Sequence, residues 1–177
     1  MEKTKVCIFD AYGTLFDVNA ACRELSIEVG ENWEELATLW RLRQVEYTWL
    51  RNSMNEYIDF WKITENALEY AMEVLNIDNE KLKIELLNLY LKLEAYPEVE
   101  NILTILKERG FKTGILSNGS DAMLESAVKN AKIENLLDEI ISVERCKIYK
   151  PSSKVYDLVK DVFKVNDNQV AFFSSNA

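Results

Sequence analysis

Residues 8–17 read Ile8-Phe9-Asp10-Ala11-Tyr12-Gly13-Thr14-Leu15-Phe16-Asp17. The apolar run that ends at Phe9, rich in Val and Ile, predicts a short buried strand over residues 5–9. Asp10 then falls at the carboxyl end of that strand, Gly13 supplies a turn, and Thr14 adds a hydroxyl. In an open α/β sheet this strand end is where ligands bind. Asp10 has no basic partner close by in sequence, so two readings fit it. It is a carboxylate aimed at a substrate, or it caps the following turn through its own backbone.

Working outward, four further segments carry polar clusters in comparable places. A strand-like run over 112–116 ends in Ser117-Asn118-Gly119-Ser120, and residues 140–143 form another apolar run. Ile148-Tyr149-Lys150-Pro151 leads into a helix, and a strand-like run over 169–173 ends in Ser174-Ser175-Asn176. Each cluster follows a strand or opens a helix, so all of them can converge on one rim. Between the first two strands the pattern differs. Residues 18–96 contain no proline and only one glycine, Gly30, and their apolar spacing is helical. Asn32 and Glu35 predict a capping box for a helix reaching Ser53. Further helices are expected over 57–75 and 81–93. From Pro97, which fits the first turn of a helix ended by Gly110, helix and strand alternate, with helices over 121–131 and 153–163. Repeated β-α-β units imply a parallel sheet. The expected fold is α/β: a Rossmann-like parallel-sheet core of residues 1–17 and 97–177, with residues 18–96 inserted as a helical cap.

Composition narrows the chemistry. The 177 residues include no histidine, which removes His general bases, Ser-His-Asp and Cys-His constellations and His metal sites. Cys7, Cys22 and Cys146 are widely spaced and odd in number, against a disulfide framework or a Cys-based metal site. The net charge of −9 disfavours nucleic acid as a partner. Residues 15–96 hold 16 acids against 8 bases, so an anionic ligand meets an unhelpful overall field. Arg41 and Lys150 are the candidate local cations that would overcome it. No apolar run approaches membrane-spanning length, and the N-terminus lacks a basic-then-apolar signal. The expectation is a soluble, cytoplasmic protein with no membrane partner.

Taken with Trp40-Arg41-Leu42-Arg43-Gln44-Val45-Glu46-Tyr47-Thr48-Trp49-Leu50-Arg51, these motifs resemble the L-2-haloacid dehalogenases, a branch of the haloacid dehalogenase superfamily. The resemblance runs through essentially the whole chain. The combination of D-A-Y-G-T-L-F-D-V, W-R-x-x-Q-x-E-Y-T-W-L-R, L-S-N-G-S, Y-K-P and S-S-N-A is specific, although each motif alone is not. It implies that Asp10 attacks C2 of a short L-2-haloalkanoic acid, giving an ester with inversion. Water then attacks the Asp10 carbonyl carbon and releases a D-2-hydroxy acid. A carboxylate suits the first step because it is ionised at neutral pH without an activating base.

The resemblance also implies the supporting cast. Ser117 and the backbone amides of Ala11 and Tyr12 would hold the substrate carboxylate. Arg41, Asn118 and the ring of Phe60 would hold the departing halide, and Tyr12, Val45, Phe60 and Trp61 would wall an apolar pocket. Lys150 would neutralise Asp10, Thr14 would orient it, and Tyr156, Ser174 and Asn176 would support Lys150 or the hydrolytic water. Plainer readings stand beside these. Arg41 could be a surface cation paired one turn away, but Ala37, Thr38, Gln44 and Val45 there are not acidic. Lys150 could be an exposed turn lysine, its backbone kept extended by Pro151. Tyr156 could be a helix core residue and Ser174 a strand terminus.

Three features bound the resemblance. Position 12 is Tyr, where the phosphatase branch carries the second Asp of D-x-D. That disfavours a phosphatase, the alternative enzyme reading. A catalytically inactive interaction protein is the alternative outside enzymes. Leu42 stands where the family often has a polar residue. The family continues past Ala177 with an acidic residue that helps activate water, then a strand and a helix. A chain lacking that C-terminal segment is expected to be less stable, to expose the edge of its fourth strand and to turn over poorly as a lasting ester. The many large apolar residues of the cap, including Trp40, Trp49, Trp61, Leu86, Leu87 and Leu89, suggest a homodimer. No cofactor or metal is expected, so activity should survive EDTA. A strict magnesium requirement for turnover would count against this reading.

Overall fold

The computed structural model describes residues 4–175. Strands β1 (Val6–Phe9), β2 (Lys112–Ser117), β3 (Glu139–Ser142) and β4 (Val170–Phe173) form one parallel sheet in the order β3-β2-β1-β4. All four residues of β1 are buried, which is why the strand reads as an unbroken apolar run rather than an alternating one. The register pairs Phe9 with Ile115 on one side and Phe173 on the other. Asp10 therefore leaves the carboxyl edge between the ends of β2 and β4. β4 lies beside β1 as expected and forms an outer edge of the described sheet, with Phe172 38% and Phe173 45% exposed.

Five helices follow β1: α1 (Ala20–Glu24), α2 (Ser26–Val29), α3 (Trp33–Met54), α4 (Phe60–Val74) and α5 (Glu80–Tyr90). The chain then returns through α6 (Val99–Glu108), with α7 (Asp121–Ala131) between β2 and β3 and α8 (Ser153–Phe163) between β3 and β4. The outgoing and returning segments are pinned together. The Asp17 amide donates to the Glu94 carbonyl at 3.0 Å and the Tyr96 amide to the Leu15 carbonyl at 2.9 Å. α3 packs along α4, burying Leu36, Ala37, Trp40, Gln44 and Thr48 at i, i+3, i+4 spacing. α4 answers with Phe60, Ile63, Thr64, Ala67, Leu68, Ala71 and Met72.

Several local expectations change. Asn32 precedes α3, but its backbone (φ −89°, ψ 10°) is not the extended form a side-chain cap needs, and it makes no cap bond. The capping is done elsewhere: Asp59 accepts the Trp61 amide at 2.6 Å, Asn79 the Leu82 amide at 3.0 Å and Ser120 the Met123 amide at 3.3 Å. Pro97 sits in the turn just before α6 rather than inside it, and β3 starts at Glu139, with Val143 already in a 3₁₀ turn. The core also absorbs more of the large apolar residues than expected. Trp40 and Leu86 are fully buried, and Trp61, Leu87 and Leu89 pack partly buried against the same core. Trp49 is 56% exposed. Among the described residues no helix is long and apolar enough to cross a membrane.

Asp138 ties the start of β3 to β2. It accepts the Thr113 amide at 2.8 Å and lies 2.9 Å from both the Lys107 and Lys112 ammonium groups. Partial burial opposes its ionisation, but the amide and the two lysines outweigh this and hold the carboxyl at about 2 instead of the usual 3.8. The folded value lies below the unfolded one, so the stabilisation is present above that ordinary value and is lost as pH falls through the folded one. Asp138→Asn should lower the unfolding free energy by about 1–2 kcal/mol at neutral pH. Urea melts should show the gap to wild type closing as the pH is taken down through this window.

Candidate active site

Asp10 is 4% exposed, and its carboxylate is anchored from three directions. Its own Oδ1 accepts the Ala11 amide at 2.8 Å, the local turn contact that the segment alone suggested. The same oxygen receives the Lys150 ammonium at 2.6 Å, and Ser174 Oγ approaches Oδ2 at 3.4 Å. Asp10 thus accepts a turn amide and at the same time lines a cavity. Lys150 is largely enclosed beside it, with Nζ also donating to the Leu116 carbonyl at 3.2 Å. Burial pushes the lysine below its ordinary value, and the adjoining carboxylate pulls the other way. Taking an ammonium out of water is costly unless it is paired, and Asp10 is the pair.

The cavity above Asp10 encloses about 520 Å³. Asp10, Tyr12, Arg41, Val45, Phe60, Ser117, Asn118, Lys150, Tyr156 and Ser174 all line it, so most of the residues singled out in the sequence meet here. They come from far apart: Arg41 and Val45 from α3, Phe60 from the first turn of α4, Ser117 and Asn118 from the end of β2, and Lys150 from the loop before α8. The Arg41 guanidinium reaches the pocket over Gly13, donating from Nη2 to the Tyr12 carbonyl at 2.9 Å and from Nη1 to Gln44 Oε1 at 2.7 Å. Gly13 holds a φ of +86°, which L side chains rarely adopt, so this turn needs glycine. Gly119 lies as close to the site: a Cβ there would come within 2.7 Å of the Tyr12 ring.

The polar donors are specific. Ser117 Oγ accepts the Gly119 amide at 3.1 Å, leaving its O–H as a donor. Asn118 Oδ1 accepts the Lys150 amide at 2.9 Å, leaving its amide hydrogens as donors. The apolar wall is formed by Tyr12, Val45 and Phe60, with Tyr12 and Phe60 ring centroids 5.9 Å apart.

Three expectations are revised, those for Thr14, the Ala11 amide and Trp61. Thr14 does not reach Asp10; its hydroxyl meets Ser175, accepting that residue's amide at 3.0 Å. The Ala11 amide is engaged with Asp10 itself. Tyr156 stands on the cavity wall edge-on to Phe172, 5.6 Å between centroids, and makes no hydrogen bond to Lys150 among the described residues. Trp61 is not on the cavity wall. Asn176 lies outside the described residues. The Lys150–Pro151 peptide is cis. Sequence reasoning passed over Thr48, Trp49, Pro151, Phe172 and Ser175, which also line the cavity. It also assigned no role to Gln44. A long polar side chain at the i+3 position from Arg41, on a largely apolar helix face, was the available signal.

The haloacid dehalogenase-like hydrolases match this chain over residues 4–177. The chain belongs to that family. Among its haloacid dehalogenase relatives, the (S)-2-haloacid dehalogenase 4A of Burkholderia cepacia is 43% identical over 178 residues, covering 100% of this chain and 77% of the relative. The (S)-2-haloacid dehalogenase 1 of Pseudomonas sp. (strain CBS-3) is 44% identical over the same length, covering 100% and 78%. The solved L-2-haloacid dehalogenase of Xanthobacter autotrophicus with chloropropionic acid covalently bound superposes with a TM-score of 0.88 at 35% identity, over 96% of this chain and 69% of that one. A crystal structure described as a dehalogenase reaches 0.97 at 43% identity, over 100% and 79%.

The buried pair makes a thermodynamic prediction for this family member. Lys150→Met would leave Asp10 buried without its counter-charge. Removing one partner of a buried ion pair costs about 3–5 kcal/mol. Urea unfolding of Lys150→Met should show a loss of that size, and a loss below about 1 kcal/mol would mean that the pair behaves like an exposed one.

Proposed function

We propose that the chain is an (S)-2-haloacid dehalogenase that hydrolyses short L-2-haloalkanoic acids to D-2-hydroxy acids through an ester on Asp10. The observation that carries this reading is the placement of a buried, lysine-paired carboxylate on the floor of a cavity whose wall holds the Arg41 guanidinium. Tyr12 favours it over a phosphatase, because the tyrosine occupies the place where phosphoryl chemistry would want a second carboxylate.

In the proposed reaction the substrate carboxylate lies against the Ser117 hydroxyl, which brings C2 over Asp10. One Asp10 oxygen forms a bond to C2 from the side opposite the halogen while the carbon–halogen bond breaks. The halide leaves with the bonding pair, stabilised by Arg41 and the Asn118 amide beside the Phe60 ring. Water then adds to the Asp10 carbonyl carbon, the acyl carbon–oxygen bond breaks, and the alcohol oxygen takes up a proton. Lys150 offsets the charge on Asp10 and stays beside it throughout. The apolar wall of Tyr12, Val45 and Phe60 fits a short alkyl chain.

The same reading divides the chain into a sheet core of residues 1–17 and 97–177 and a helical cap of residues 18–96. It takes a second copy as the partner, with exposed Leu42, Leu50 and Met54 on α3 as the apolar residues available for it. It places the enzyme in the cytoplasm.

Chloride release from L-2-chloropropionate, assayed beside p-nitrophenyl phosphate, tests the activity. Asp10→Asn should abolish halide release while the circular dichroism spectrum stays native. Normal turnover by a folded Asp10→Asn protein, with deamidation excluded by intact mass, would remove the mechanism. Phosphatase activity without halide release would replace it.

A further inference from the structure

Tyr149 and Lys150 are neighbours in sequence, yet their hydrogen bonds go to opposite sides of the molecule. Lys150 is held by the sheet. Its amide donates to Asn118 Oδ1 at 2.9 Å, just beyond β2, and Nζ donates to Asp10 Oδ1 at 2.6 Å and to the Leu116 carbonyl at 3.2 Å. Tyr149 is held by the helical segment between β1 and α6. Asn52, on α3, engages both polar groups of its main chain: Nδ2 donates to the Tyr149 carbonyl and Oδ1 accepts the Tyr149 amide, each at 2.8 Å. The Tyr149 hydroxyl donates to the Ile58 carbonyl at 2.5 Å, and its ring packs on Tyr57 and Phe60, with centroids 5.0 and 6.1 Å away. Within its own loop the Tyr149 carbonyl also accepts the Ser152 amide at 3.2 Å.

The two bonds leave the Asn52 amide one orientation. A backbone N–H only donates and a carbonyl only accepts, so the amide oxygen faces the first and the amide nitrogen the second. Helix formation does not account for an asparagine here. Asn is a weak helix former, because its side chain competes for backbone bonds, and position 52 lies inside α3, two residues before Met54 ends it. Nor does burial, since Asn52 is only half-buried and water could serve it. The contact with Tyr149 is what the residue type fits.

A lysine ammonium is a point charge on a flexible four-carbon stem, so its place depends on where the stem begins. Here two successive peptide units are fixed by two amide side chains, that of Tyr149 by Asn52 and that of Lys150 by Asn118. We infer that Asn52 is a positioning residue for Lys150: by fixing the Tyr149 peptide unit to α3 it sets the origin of the lysine stem, and it ties the placement of the ammonium at Asp10 to the seating of the helical segment on the sheet. The kinetic consequence rests on the dehalogenase reading, and the geometric one does not.

Trace acetylation with acetic anhydride, read peptide by peptide by mass spectrometry, tests the geometry without turnover. In the unsubstituted chain Lys150, with a side chain 13% exposed, should react far more slowly than Lys81 at 86%. Asn52→Ala removes both bonds and puts a strong helix former in their place. Lys150 should then acetylate several-fold faster, while Lys83, on α5 and 20% exposed, keeps its rate. Ser53→Ala, which removes a hydroxyl bonded to the Trp49 carbonyl within α3, should change neither.

Kinetics read the consequence. Asn52→Ala should lose about 10- to 10²-fold in kcat with L-2-chloropropionate, the scale of a displacement of about 1 Å at the reacting centre. KM should move less, because the proposed reaction sets the substrate carboxylate on Ser117. If Asn52→Ala does not fold, Asn52→Asp takes its place. It keeps the shape and the bond from the Tyr149 amide but sets a carboxylate against the Tyr149 carbonyl, and it should free Lys150 in the same way. An unchanged Lys150 rate in the folded variant would overturn the positioning role. So would an equal rise at Lys83, which would make Asn52 a support of the whole chain. Absence of halide release from the unsubstituted chain counts against the dehalogenase reading instead, and the acetylation rates still decide Asn52.

Discussion

The buried pair of Asp10 and Lys150 is the constraint around which the rest of the molecule is arranged. An isolated carboxylate at 4% exposure would be very costly, and so would an isolated ammonium. Held 2.6 Å apart they are tolerable, but only if both are delivered to one point with little error. The sheet delivers Asp10: β1 is central, hydrogen-bonded on both sides, and cannot slip by one residue without turning its side chains to the wrong faces. Lys150 arrives on a loop, which needs more restraint. Its amide is held by Asn118 and its ammonium by the Leu116 carbonyl, both from the end of β2.

The restraint continues into the helices. Asn52, near the end of α3, grips the peptide unit of Tyr149 with both ends of its side chain: Nδ2 donates to the carbonyl at 2.8 Å and Oδ1 accepts the amide at 2.8 Å. Tyr149, fully buried, donates its hydroxyl to the Ile58 carbonyl at 2.5 Å. One helix thus carries Arg41 and also clamps the residue before Lys150. Because α3 is a continuous helix of 22 residues, the eleven-residue step from Arg41 to Asn52 is a rigid spacing of about 16 Å. Arg41, near the middle of this rod, and Asn52, near its end, bear on both cations of the site, so a shift of α3 against the sheet would move both.

Much of this was legible in the sequence, and the reasons differ by element. β1 was readable because a central parallel strand is apolar on both faces, and Asp10 stood out as the first polar residue after it. The long helices were readable from spacing alone. Arg41 was legible in part: the absence of an acidic residue one turn away set it apart, but one of its partners, Gln44, sat in that same window and was passed over because it carries no charge. Thr14 was assigned to Asp10 from proximity in sequence, yet the turn at Gly13 points its hydroxyl to Ser175. Asn32 looked like a cap by residue type, and backbone angles that no local pattern specifies decided otherwise. Trp40 and Leu86 were grouped with apolar residues too numerous for one core because sequence does not show how closely α3, α4 and α5 pack. Thr14 and the buried cap residues share one cause: each depends on a pairing across more than one element.

The distribution of charge explains why these pairings matter for a proposed anionic substrate. A carboxylate nucleophile and a substrate carboxylate a few ångströms apart repel, and the surrounding helices are themselves acidic. Two unit charges at 4 Å interact by about 4 kcal/mol at an effective dielectric constant of 20. Against Asp10 alone that repulsion would weaken binding by nearly three orders of magnitude. Lys150 offsets it at the nucleophile, and Arg41 adds a second cation on the cavity wall. The site therefore carries its own local field against the sign of the whole protein. Among the described residues the cavity wall carries two cations, Arg41 and Lys150, against one carboxylate, Asp10.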